Sequence, residues 1–220
     1  MKSTNTGKIS QKVAQILVDS GCVIFRTRIP FKYTSGILSP IYTDNRRLIS
    51  LPKEREVVAD FIIEKIKQEG IPDMIAGTAT AGIPHAAWIA AKLSLPMVYI
   101  RAESKKHGHK NQVEGIAKRG HKAVIIEDLI STGNSAIESV RALKKLGIKV
   151  DTVFAIFTYD LKQAKQNFQR DKVNLISLTN LKATVEAARK RDLLRKDDQI
   201  PIILNWAKDP KNWGKKMGYE

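Results

Sequence analysis

The sequence predicts an α/β fold: a five-stranded parallel sheet flanked by helices, with an added N-terminal layer. Three observations predict it. From residue 70 onward, short apolar runs alternate with helical patterns, and that alternation builds a parallel sheet with helices on its faces. The runs are continuously apolar, as in strands covered on both sides. A chain of 220 residues with 43% hydrophobic and 27% charged side chains is an ordinary globular protein, long enough to bury about 70–75% of its unfolded surface.

Each element follows in order. Ile9, Val13, Ile16 and Leu17 share one helical face, and Gly21 stops that helix. The next stretch, FRTRIPFKYTSGILSPIYTDNRRLIS (25–50), is rich in Ser, Thr, Pro and Tyr and predicts short strands and turns. Pro52 opens a helix whose apolar face is Val57, Val58, Phe61, Ile62 and Ile66, and Gly70 closes it. Strands are then predicted at 73–78, 96–101, 122–128, 150–157 and 173–178. Helices are predicted at 82–93, 134–147, 161–170 and 179–192. The expected organisation is an N-terminal region (1–70), an α/β core (71–180) and a C-terminal helical segment (181–220) packing on the core.

Composition excludes several classes. No run approaches the roughly 18 apolar residues of a membrane span, and the first residues lack the pattern of a secretory signal. Cys22 is the single cysteine. It excludes an internal disulfide and multi-thiolate metal sites, and it suits a reducing cytoplasm. The net charge of +16 attracts anions, whether nucleic acid or small phosphorylated substrates. Residues 101–122 concentrate it: Arg101, Lys105, Lys106, Lys110, Lys118, Arg119 and Lys122 face only Glu103 and Glu114. The segment 181–220 mixes both signs and reads as a solvated face.

Chemistry concentrates in AVIIEDLISTGNSA (123–136). Four apolar residues lead out of the sheet, Glu127 and Asp128 stand at the strand tip, and Ser131, Thr132, Gly133, Asn134 and Ser135 form a hydroxyl-rich turn before a helix. In open α/β sheets ligands bind at the carboxyl ends of strands. Free backbone N–H groups and the helix dipole make such a turn an anion site. The adjacent carboxylates suit sugar hydroxyls or a magnesium ion. Helix capping alone explains one Ser, Thr or Asn, but not two acids ahead of the turn. Walker-A and GxGxxG patterns are both absent.

EDLISTGNS (127–135) resembles the phosphoribosyl-diphosphate (PRPP) motif of type I phosphoribosyltransferases. FKYTSGILSPIYTDNRRLISLP (31–52), GTATAGIPHAAWIA (77–90) and YIRAESKKHGHKNQVEG (99–115) resemble the orotate phosphoribosyltransferase family, in that order and at fitting spacing. The resemblance implies the type I phosphoribosyltransferase fold with an N-terminal hood. It also implies transfer of the phosphoribosyl group from PRPP to orotate N1, with magnesium, giving orotidine 5′-phosphate and pyrophosphate in UMP biosynthesis.

Carried onto this chain, the resemblance gives Glu127 and Asp128 the ribose hydroxyls. Leu129, Ile130 and Ser131–Ser135 bind the 5′-phosphate region, and Thr78, Ala79, Thr80 and Ala81 approach the pyrophosphate. Small residues between Gly77 and Gly82 also suit close helix–strand packing, and both readings stand at this point. Arg101, Lys105 and His107 match pyrophosphate-binding positions. These three, on a loop (101–115) shared between the subunits of a homodimer, and Asp128 at the strand tip are the expected catalytic groups. Magnesium is expected on PRPP and water, not on a protein cage. Thr34 and the stretch TYDLKQAK (158–165) depart from some members at positions near orotate, which leaves Lys32, Arg46 or backbone N–H groups of 35–43 to hold its carboxylate. His85, Trp88, Trp206 and Trp213 are expected to pack. Membrane and nucleic-acid partners are not expected.

Overall fold

The structure is a computed structural model that describes residues 2–33, 35–102, 112–195 and 198–219. Helix α1 (Lys2–Asp19) leads into a hood of two small antiparallel pairs. β1 (Val23–Phe25) pairs with β4 (Ile41–Thr43), and β2 (Phe31–Lys32) pairs with β3 (Leu38–Ser39). A 3-10 helix (Asn45–Ser50) and α2 (Pro52–Glu69) complete the N-terminal layer. Pro52 sits in the first turn of α2, where its missing N–H costs nothing.

The core then alternates: β5 (Met74–Thr78), α3 (Gly82–Leu93), β6 (Met97–Ile100), β7 (Val113–Glu114), β8 (Lys122–Ile130), α4 (Asn134–Lys145), β9 (Lys149–Thr158), α5 (Lys162–Arg170), β10 (Asn174–Asn180) and α6 (Leu181–Lys190). The sheet order is β10-β9-β8-β5-β6-β7. The five expected strands are parallel. A sixth, β7, adds antiparallel to β6 through Tyr99↔Glu114 and Ile100↔Val113. Two residues carry no periodicity, so this edge pair leaves no trace in the sequence pattern.

Alternate strand residues feed two cores. Ile75, Val124, Ile126, Phe154 and Ile156 pack under α1, α2, α3 and α6. Met74, Ala76, Ile125, Val153 and Ala155 pack under Ile137, Val140 and Leu143 of α4 and Phe168 of α5. Burial on both faces is why the strands read as continuous apolar runs. α7 (Gln199–Lys208) and α8 (Pro210–Lys216) follow, and they reach the hood. The Trp206 indole N–H donates to the Leu38 carbonyl at 3.0 Å, and the Tyr219 hydroxyl donates to the Thr27 carbonyl at 2.7 Å. No described helix is long and apolar enough to cross a membrane.

Candidate active site

Two segments that lie far apart in sequence meet at the carboxyl ends of β5 and β8. A cleft of about 260 Å³ is lined by Thr78, Ala79, Thr80, Ala81 and by residues 127–136. The sequence-derived candidates Glu127, Asp128, Leu129, Ile130, Ser131, Thr132, Gly133, Asn134 and Ser135 therefore share one cavity with the β5–α3 loop. A larger groove of about 720 Å³ between α1 and α6 carries lysines and glutamines but no acid pair and no hydroxyl-rich turn.

The turn leaves the start of α4 without a side-chain cap. Gly133 is the residue before α4, with φ of 77°, and no side chain caps the helix. The first N–H groups of α4 are left for another acceptor. A capping side chain would occupy those donors, and none does. From α5, the buried Asn167 amide donates to the Thr132 carbonyl (2.9 Å) and to Asn134 Oδ1 (2.7 Å). It braces the turn from behind. Asn167 lies in a polar helical stretch with no motif, so nothing in the local pattern marks it.

The β5–α3 loop is close because glycine permits it. A Cβ on Gly82 would stand 2.5 Å from the Ile126 carbonyl oxygen, and one on Gly77 3.0 Å from Ala86 Cβ. Close helix–strand packing thus accounts for these two glycines, while Thr78–Ala81 face the cleft. The peptide between Ala79 and Thr80 is cis.

Glu127 and Asp128 are 7% and 9% exposed. Burial, and then the Asp128 charge, push the Glu127 pKa well above the usual carboxylate range. Burial likewise raises Asp128, against opposing hydrogen bonds and the positive charge of Arg46. The Asp128 N–H donates to Glu127 Oε1 at 3.3 Å, and the Asn45 amide donates to the Asp128 carbonyl at 2.7 Å. Arg46, beside it in the hood, is exposed and paired with Asp44 at 2.6 Å. Asn45 lies inside a quoted sequence block, yet nothing in the spacing assigns it a role.

Arg101 does not line the cleft. It pairs with Glu114 at 3.4 Å, and its N–H donates to the Gln112 carbonyl at 2.9 Å. Lys105 and His107 lie outside the described residues. His85 is 1% exposed, and burial lowers its pKa to about 4. It packs edge-on against Trp88, 5.4 Å between centroids, as a neutral core residue.

Comparison with known proteins shows the family. The phosphoribosyl transferase domain family matches residues 47–187. Orotate phosphoribosyltransferase of Listeria monocytogenes serotype 4b is 45% identical over 208 residues, covering 94% of this chain and 99% of that one. The Coxiella burnetii protein of the same name is 43% identical over 203 residues, 92% and 97% of the two chains. The crystal structure of orotate phosphoribosyltransferase from Aeropyrum pernix superposes with a TM-score of 0.72 at 31% identity, over 83% of this chain and 99% of that chain. Matched by that domain family over most of its length and by near-full-length relatives at 43–45% identity, the chain belongs to the orotate phosphoribosyltransferase family of phosphoribosyl transferases.

Proposed function

We propose that the protein transfers the 5-phosphoribosyl group of PRPP to N1 of orotate, giving orotidine 5′-phosphate and pyrophosphate for UMP biosynthesis in the cytoplasm. The observation that carries this reading is the uncapped amino end of α4 facing an acidic strand tip in one cleft. An anion and a polyhydroxylated sugar are the two halves of a sugar phosphate. The α4 amides and the hydroxyls of Ser131, Thr132 and Ser135 take the 5′-phosphate. Glu127 and Asp128 accept hydrogen bonds from the ribose hydroxyls, which pairs two otherwise costly buried carboxylates. Thr78–Ala81 lie across the same cleft and present backbone to the diphosphate.

As the bond from C1 to the diphosphate oxygen breaks and the bond to N1 forms, negative charge grows on the departing pyrophosphate. Arg101, Lys105 and His107 would meet it from the 101–115 loop, shared between the subunits of a homodimer. Cations fixed on developing charge lower such a barrier by a few kcal/mol each. Among the described residues no group of three His, Cys, Asp or Glu could hold a metal. The two cleft carboxylates suit magnesium carried in on the diphosphate and completed by water. When bound, magnesium neutralises diphosphate charge. In the N-terminal layer, Lys32, Arg46 or backbone N–H groups of 35–43 would hold the orotate carboxylate.

The test is loss of orotate absorbance with PRPP and magnesium. Orotate consumption with stoichiometric pyrophosphate is expected, and a panel of purine bases should be inert. A Lys105→Ala variant should lose turnover by about 10²–10³ while substrate binding changes far less. No consumption of orotate, or faster reaction with a purine, would overturn the assignment.

A further inference from the structure

β5 ends at Thr78, and its ladder with β8 closes at the Gly77–Ile126 pair. β8 continues to Ile130 with β9 beside it. Among the described residues no strand pairs with the overhang on its β5 side, and the acid pair sits on that overhang. The backbone of Asp128 finds two substitutes there. Its N–H donates to Glu127 Oε1, and its carbonyl accepts the short bond from Asn45 Nδ2.

Asn45 arrives from the hood, at the start of the 3-10 helix, and is 0% exposed. Its own Oδ1 has no partner among the described residues. A buried amide with one unpaired acceptor is a poor way to fill space, since an apolar side chain of similar size leaves nothing unpaired. What the amide supplies and leucine cannot is the donor to Asp128.

We infer that Asn45 is a positioning residue for sugar recognition: it stands in for the missing strand, fixes the Asp128 backbone and so aims the Asp128 carboxylate at a sugar hydroxyl. The inference rests on the reading that Glu127 and Asp128 hold the ribose. It also makes the hood part of the PRPP site.

The readout is preference for ribose 5-phosphate over its 2-deoxy and 3-deoxy analogues, measured by calorimetry on the wild type and on Asn45→Leu. The wild type should prefer ribose 5-phosphate by about tenfold or more, the worth of a hydrogen bond to a charged group. In Asn45→Leu the preference should fall to within about threefold, and the KM for PRPP should rise more than that for orotate. Thermal melting establishes that the variant is folded. Asn45→Ala serves if leucine prevents folding. A folded variant that keeps the wild-type preference overturns the inference. Failure of both variants to fold also overturns it, assigning the amide to folding instead. A wild type with no preference defeats the acid-pair reading itself, a different result.

Discussion

Glu127, proposed to hold a ribose hydroxyl, is a residue whose ionised form the fold itself disfavours. Burial and the neighbouring Asp128 charge raise its pKa, so the native state holds a proton that the unfolded chain gives up at lower pH. Stability then falls as pH rises through the window between the ordinary carboxylate value, about 4, and the raised native one. Below that window the penalty is absent; above it the penalty is complete. Glu127→Gln removes it. The variant should melt higher than the wild type at pH 8, by about 2–4 °C for each kcal/mol relieved, and the gap should close as the pH approaches 4. At pH 8 its affinity for PRPP should fall by about tenfold or more, because a charged acceptor has been lost. Equal melting temperatures at pH 8 would refute the argument, since they would mean that ionised Glu127 costs the apo protein nothing.

At the level of the element, the turn before α4 concentrates the demands on the backbone. Gly133 has φ of 77°, a conformation that side chains disfavour, and an added Cβ would stand 2.8 Å from Phe168 Cε2. Gly133→Ala should therefore cost about 1–3 kcal/mol by urea unfolding and raise the KM for PRPP as the α4 amides shift. A midpoint unchanged within error would show that Phe168 yields and that the turn tolerates the strain. This turn was legible in the sequence because glycine, hydroxyls and acids declare themselves locally. What was not legible depends on neighbours. The sequence put the third core strand at 122–128, but β8 runs to Ile130 because β9 continues beside it. β7 exists only because the chain returns along β6. Asn45 and Asn167 are visible only where they meet backbone from distant elements. Local pattern reports periodicity and turn chemistry. It does not report which strand stops first, and here that decides where the acids stand.

Across the whole molecule, one indole joins three parts that the sequence pattern leaves separate. Trp206 of α7 is buried. It packs edge-on against Tyr159, at the end of β9, with centroids 5.2 Å apart, and against Tyr33 of the hood at 6.4 Å. Its N–H satisfies the Leu38 carbonyl of β3. The hydroxyls of Tyr33 and Tyr159 meet at 3.3 Å, and Tyr33 also donates to the Ile41 carbonyl at 2.7 Å. Two-stranded pairs such as β2–β3 are marginal alone in water, so the hood owes its order to what it packs on. Trp206→Ala removes the packing and leaves the Leu38 carbonyl unpaired. It should cost about 3–5 kcal/mol, a fall in melting temperature of about 6–20 °C for a chain of this size. Trp206→Phe keeps much of the ring and loses the donor, so it should cost less, about 1–3 kcal/mol. Because the hood is proposed to hold orotate, both variants should raise the KM for orotate more than that for PRPP. If instead the KM values rise equally, the hood and the sugar site loosen as one body, and α7 supports the whole cleft rather than its roof.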